Sequence, residues 1–123
     1  QVGLLAYSPL AQGTLTGKYL NGQMPQGSRL ALFGDTPLMM RYKGDKTQKA
    51  IEMYVEVAKK FEIDPTQLAI QFCNIQPFVT SNIIGATTME QLKICIDSIH
   101  LDISKEIMNE VRKVHREIPN PAP

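Results

Sequence analysis

Apolar positions fall along this chain in two rhythms. Val2-Gly3-Leu4-Leu5-Ala6-Tyr7 is a short unbroken apolar run, and Phe78-Val79-Thr80-Ser81-Asn82-Ile83-Ile84 contains another. Runs of this length without alternation predict strands buried on both faces, as in parallel sheets covered by helices. Elsewhere apolar residues recur at steps of three and four. Ala50, Ile51, Tyr54, Val57, Ala58 and Phe61 predict a helix over residues 47–61, with Lys59 and Lys60 in its last turn. Leu68, Ala69, Phe72, Cys73 and Ile75 predict a second, capped by Asp64, opened by Pro65 and stopped by Pro77. Met89, Leu92, Ile96 and Ile99 mark one face of a third, with Ile94 off that face. Ile107, Met108, Val111, Val114 and Ile118 mark a last helix, for which Asp102 and Ser104 are candidate caps. Residues 21–45 show little periodicity and much Gly, Pro and Met, which predicts a long connection of the kind that serves as a lid or binding loop. Pro119-Asn120-Pro121-Ala122-Pro123 cannot be helical and reads as a chain end with little to bury.

Two strands cannot close a sheet, and parallel strands need covered neighbours. The order strand, helices, strand, helices therefore predicts the last βαβα portion of a larger α/β fold, whose remainder is missing or comes from another chain. The 123 residues are of one-domain length, and 43% hydrophobic with 20% charged residues is an ordinary globular balance. A net charge of +1 gives no electrostatic case for nucleic acid or an anionic membrane. No apolar run approaches the roughly 18 residues of a membrane span. Gln1-Val2-Gly3 carries no basic stretch of a signal peptide, and the absent Met suggests that residue 1 is not the natural start. Cys73 and Cys95 both fall in predicted helices among apolar neighbours, as buried free thiols do, and this fits a reducing, cytoplasmic setting. Two Cys and two His at unrelated spacings make no metal signature, and His100 and His115 read as structural or solvated.

Three stretches carry candidate chemistry. In Ile83-Ile84-Gly85-Ala86-Thr87-Thr88-Met89-Glu90-Gln91-Leu92 the chain turns from strand into helix, and Thr87-x-x-Glu90 spells a capping box. The first amides of that helix, with the dipole behind them, favour an anion such as a nucleotide phosphate, and Gly85 lets one come close. Thr87 and Glu90 serving only as a cap is the competing reading. In Leu10-Ala11-Gln12-Gly13-Thr14-Leu15-Thr16-Gly17-Lys18-Tyr19, amides, hydroxyls and one Lys suit a loop wrapped around an anion, although the Gly and Lys spacing is not that of a P-loop. Arg29 and Arg41 are either anion contacts or solvated side chains.

These residues resemble the aldo-keto reductases, in the branch that includes bacterial enzymes and the potassium-channel beta subunits. The match rests on Ala6-Tyr7-Ser8-Pro9-Leu10-Ala11-Gln12-Gly13 through Thr16-Gly17-Lys18-Tyr19; Ala58-Lys59-Lys60 with Asp64-Pro65-Thr66-Gln67-Leu68-Ala69; Ile83-Ile84-Gly85-Ala86-Thr87-Thr88 with Glu90-Gln91-Leu92; and Pro119-Asn120-Pro121. It covers nearly the whole chain, with order and spacing in agreement. The resemblance implies a (β/α)₈ TIM barrel with NADP(H) across the C-terminal strand ends. Residues 1–123 would be its C-terminal part: strands seven and eight, their helices and a C-terminal extra helix, an incomplete barrel without its N-terminal half. By similarity Tyr7 would stack on the nicotinamide; Ser8, Pro9, Leu10, Ala11 and Gln12 would follow the pyrophosphate, with Lys18 adding charge. Arg29 would match an adenosine-side arginine, Gly85 and Thr87 the 2′-phosphate end, and Gln91 the adenosine.

Two features depart from that pattern. The family usually has Glu-Asn where this chain has Ile94-Cys95, a pair that holds the adenine amino group. Ile94 cannot hydrogen-bond and Cys95 is a poor partner, which predicts weakened but not abolished NADP(H) affinity. The family's catalytic Asp, Tyr, Lys and His belong to the first half of the barrel, so no residue here is assigned a catalytic role. The resemblance thus implies the NADP(H)-binding part of an oxidoreductase that reduces aldehydes and ketones to alcohols, acting on a small carbonyl substrate. The alternative is a non-enzymatic binding or regulatory module, of the channel-subunit or pseudoenzyme kind. On its own, the chain is expected to be poorly folded and inactive.

Overall fold

Leu5–Tyr7 (β1) and Ser81–Ile83 (β2) pair in parallel, with Leu5 opposite Ser81, Ala6 opposite Asn82 and Tyr7 opposite Ile83. They are the whole sheet in the computed structural model, which describes residues 2–123; Gln1, part of the leader expectation, lies outside the described residues. The lower ends of the strands are tied as well. Leu4 accepts at its carbonyl from the Thr80 N–H (2.9 Å), and its own N–H donates to Thr80 Oγ1 (3.1 Å). A side chain at Gly3 would meet that same hydroxyl at 2.9 Å, so the close approach needs a glycine.

The connection between the strands carries short helices α1 (Arg29–Phe33) and α2 (Pro37–Met40), then α3 (Asp45–Lys60) and α4 (Pro65–Asn74). After β2 come α5 (Met89–Asp97) and α6 (Lys105–Glu117). The main core lies where α3, α4 and α6 meet: Val57, Ala58, Leu68, Ile107, Val111 and Val114 are buried together, with Phe61, Ile63 and Phe72 against them. Local chemistry sets the helix starts. Asp64 accepts from the N–H groups of Thr66 (2.7 Å) and Gln67 (3.3 Å), with Pro65 in the first turn, and Ser104 accepts from Ile107 (3.2 Å). Of the two candidate caps for α6, it is therefore Ser104 that acts.

Four expectations are corrected. The strands are not buried on both faces: Ala6 and Asn82 are half-buried, whereas Leu5 is 61% and Tyr7 79% exposed. A two-stranded sheet covered by helices on one side has nothing to lay over the other. Residues 21–45 are not without structure, since α1 starts at the Ser28 cap and α2 at Pro37. On α5 the buried side is Cys95 and Ser98, while Met89, Ile96 and Ile99 are exposed. Small side chains seat this helix on α4. The isoleucines line an open groove of about 570 Å³ between α4, β2 and α5. Lastly, the chain end is engaged rather than loose. Arg41 donates through Nε (3.2 Å) and Nη2 to the Ala122 carbonyl, and the buried Thr47 hydroxyl donates to the Pro121 carbonyl at 2.5 Å. The two thiols are free, as expected, with Cys95 buried and Cys73 half-buried, and burial pushes both pKa values up.

Candidate functional site

The parallel register places Tyr7 beside Ile83, so both strands end at one edge of the sheet. Paired strands lie about 4.8 Å apart, and the chains that leave them start as neighbours. From β1 the chain enters a tight loop. Ser8, Ala11 and Gln12 are left-handed (φ 55°, 47° and 62°), followed by Gly13 at 90°. Each non-glycine in that region costs roughly 1–2 kcal/mol, and such clusters gather at binding sites. The loop is held by bonds from Ala11 N–H to the Ser8 carbonyl (2.9 Å) and from Gly13 N–H to the Leu10 carbonyl (2.9 Å).

The loop's hydroxyls are not offered outward as the anion-wrapping reading expects. Thr14 Oγ1 donates to the Ala11 carbonyl and Thr16 Oγ1 to the Gly13 carbonyl, each at 2.8 Å. They close the loop on itself, because a hydroxyl three residues past a carbonyl reaches it without strain. The cations are better placed. Lys18 lies over Gly13, where any added Cβ would sit 3.2 Å from its Cε and Nζ, and its ammonium is 5.1 Å from the centre of the Tyr19 ring. Arg29 Nη1 donates to Gln12 Oε1 at 2.5 Å, and Gln12 Nε2 to Ser8 Oγ at 3.2 Å. Among the described residues neither Lys18 nor Arg29 has a carboxylate partner. Arg41, by contrast, is committed to the chain end. Pro9, Leu10, Ala11 and Gln12 are half-buried beneath the loop surface.

From β2 the chain passes through Gly85, which has no other chain atom within 4 Å of the position a Cβ would take. Packing does not demand a glycine there, so the space stays open to an approaching group. The helix cap is Thr88, one residue later than expected: its backbone is extended (φ −131°, ψ 160°) and its oxygen accepts from the Gln91 N–H at 3.2 Å. Thr87 instead donates through its N–H (3.0 Å) and hydroxyl (3.1 Å) to Gln91 Oε1. Glu90 takes hydrogen bonds from its own N–H and the Thr88 hydroxyl, which hold its carboxyl below the usual range. A Thr-Thr pair lets either residue cap, and only the backbone decides between them.

Tyr7 through Gln12, Lys18 and Arg29 thus gather around the end of β1, while Gly85, Thr87 and Gln91 follow the end of β2 beside it. Cys95 is 4% exposed against α4 and Ile94 is half-buried. The tie from Leu30 N–H to the buried Tyr19 hydroxyl (3.3 Å), the cap at Thr88 and the anchoring of the chain end were not foreseen from the sequence. Only the Thr-Thr doublet carried a signal for any of them. No group of three or more His, Cys, Asp or Glu able to hold a metal occurs among the described residues.

A family model described as the Aldo/keto reductase family matches residues 1–116. The chain is 50% identical over 122 residues to Protein tas of Escherichia coli (strain K12), an alignment covering 99% of this chain and 34% of that protein. It is 35% identical to a probable voltage-gated potassium channel subunit beta of Oryza sativa subsp. japonica, over 96% of this chain and 37% of the other. It is 38% identical over 97 residues to L-glyceraldehyde 3-phosphate reductase of Escherichia coli (strain K12), which covers 75% of this chain and 28% of that protein. The chain spans about a third of the length of the curated relatives it matches.

Proposed function

This chain belongs to the aldo/keto reductase family, and on that premise we propose that it forms the C-terminal, NADP(H)-binding part of an oxidoreductase that reduces small aldehydes and ketones to alcohols. Its two strands would be the seventh and eighth of a (β/α)₈ barrel, with α6 the extra C-terminal helix. The observation that carries the reading is the parallel register. It brings the Tyr7 end and the Ile83–Gly85 approach to one edge, as a nucleotide lying across both would require.

When bound, a nicotinamide supplies hydride to a carbonyl carbon. The chain's own residues bind and orient. Tyr7, 79% exposed on the bare face of the sheet, offers a flat ring for stacking. The left-handed run through Ser8 and Ala11 to Gly13 shapes the backbone into a turn around a pyrophosphate, and Lys18, uncancelled by any carboxylate, supplies charge to it. Gly85 leaves room for a phosphate before α5, where Thr87 and Gln91 hold each other in place. Proton transfer to the carbonyl oxygen is assigned to no residue of this chain. A cytosolic setting fits two free thiols, and no helix among the described residues is long and apolar enough to cross a membrane.

The test is fluorescence titration of NADPH into the longest natural polypeptide that carries this sequence (the parent polypeptide), followed by carbonyl-dependent NADPH oxidation. Saturable binding that Tyr7→Ala and Lys18→Ala both weaken supports the proposal; absence of binding removes it. Ile94-Cys95 and the similarity to a channel beta subunit favour one second reading, a nucleotide-sensing module without turnover. Binding without oxidation of any carbonyl would select it.

A further inference from the structure

Gln12 joins two places that are far apart in sequence. Its Nε2 donates to Ser8 Oγ just beyond β1, and its Oε1 accepts from Arg29 Nη1 at the start of α1, 17 residues on. The same short helix is held a second time, by the Leu30 N–H on the buried Tyr19 hydroxyl. Arg29 is therefore a fixed side chain rather than one waving in solvent.

The backbone of Gln12 makes the side chain harder to dismiss. At φ 62° a glycine would sit without strain, so the turn does not explain a long amide at this position. The amide's chemistry does. A guanidinium has five N–H donors, and Gln12 takes one of its nitrogens with a neutral oxygen. The remaining donors stay available, and the charge stays whole, because no carboxylate pairs with Arg29 among the described residues. A glutamate in the same place would orient Arg29 equally well and cancel its charge.

Resting on the function proposed above, we infer that Gln12 is a positioning residue: it fixes Arg29 against the end of β1, uncancelled, for the adenosine-side phosphate of the nucleotide. It thereby sets the preference for NADPH over NADH. Its side chain acts through Arg29 and does not itself contact the phosphate.

The experiment measures NADPH and NADH dissociation constants for the parent polypeptide and its Gln12→Met, Gln12→Glu, Arg29→Met and Gln12→Met/Arg29→Met variants, each checked for an unchanged melting temperature. Gln12→Met is expected to weaken NADPH about two- to tenfold, the scale of one oriented hydrogen bond, and to leave NADH unchanged. Gln12→Glu, nearly isosteric, should weaken NADPH at least as much while keeping Arg29 in place. The double variant should be no worse than Arg29→Met, since both act through one guanidinium. Additive losses, equal losses for both nucleotides, or unchanged binding in Gln12→Met would overturn the inference and leave NADPH binding standing. A wild-type protein that binds neither nucleotide would instead overturn the function proposed above, and this inference with it.

Discussion

Replacing Gly85 by alanine separates the site from the scaffold. No chain atom lies within 4 Å of the position the new methyl would occupy, and the backbone at Gly85 is not in the left-handed region. The folded protein therefore has room for the methyl, and the unfolded chain loses freedom. Stability should stay level or rise by about 0.4–1 kcal/mol. Binding should respond in the opposite sense. A phosphate hydrogen-bonded to this backbone lies within about 3.2 Å of it, and a methyl in that approach pushes it beyond bonding range. One hydrogen bond to a charged group is worth about 1.5–3 kcal/mol, so the NADPH dissociation constant should rise roughly ten- to a hundredfold. Thermal unfolding by circular dichroism and fluorescence titration on the same preparation of the parent polypeptide give both numbers. A fall in melting temperature of several degrees, or affinity unchanged within twofold, would refute the reasoning.

Gly13→Ala should behave in the reverse way: its φ of 90° and the Lys18 side chain 3.2 Å from a new Cβ make it destabilising by about 1–2 kcal/mol, read as a lower denaturant midpoint. Thr88→Ala removes the cap on α5 and should cost about 0.5–2 kcal/mol, whereas Thr87→Val leaves the cap intact and should cost less. Glu90 has its folded pKa lowered by its own N–H and the Thr88 hydroxyl, so the stability it contributes is present above the ordinary carboxylate range and lost as pH falls through the lowered folded value. Glu90→Gln should accordingly flatten the acid limb of a stability–pH curve, and an unaltered limb would count against it. Ile94→Glu alone should tighten NADPH about two- to tenfold by restoring an acceptor, while Cys95→Asn places an amide at a buried position and should lower stability. The 123-residue chain by itself, with Leu5, Tyr7, Ile83, Ile96 and Ile99 exposed, should show no cooperative melt and no carbonyl-dependent NADPH oxidation.

Elements whose signals are local were legible in the sequence. Asp64-Pro65 announced the start of α4 because a cap and a first-turn proline act over two residues. The short apolar runs marked both strands, and their small number already implied an open sheet. What escaped depended on partners. The α5 stripe of Met89, Ile96 and Ile99 fits a buried face by spacing, yet Cys95 and Ser98 make the contact because α4 admits only small side chains there. Helices α1 and α2 span five and four residues, too short for any period to show. The ties of Gln12 to Arg29 and of Arg41 to Ala122 join residues 17 and 81 positions apart, which no spacing rule reaches. At the candidate site the strand ends were placed correctly relative to each other, the cap was one residue out, and the Thr14 and Thr16 hydroxyls turned out to face inward.

Hydrogen–deuterium exchange of the parent polypeptide, followed across an NADPH titration, bears most directly on whether the two strand ends hold one nucleotide. Residues 8–18 and 84–91 should gain protection together, with a single concentration midpoint. Protection of one segment alone, different midpoints, or protection confined to other parts of the protein would contradict the shared site.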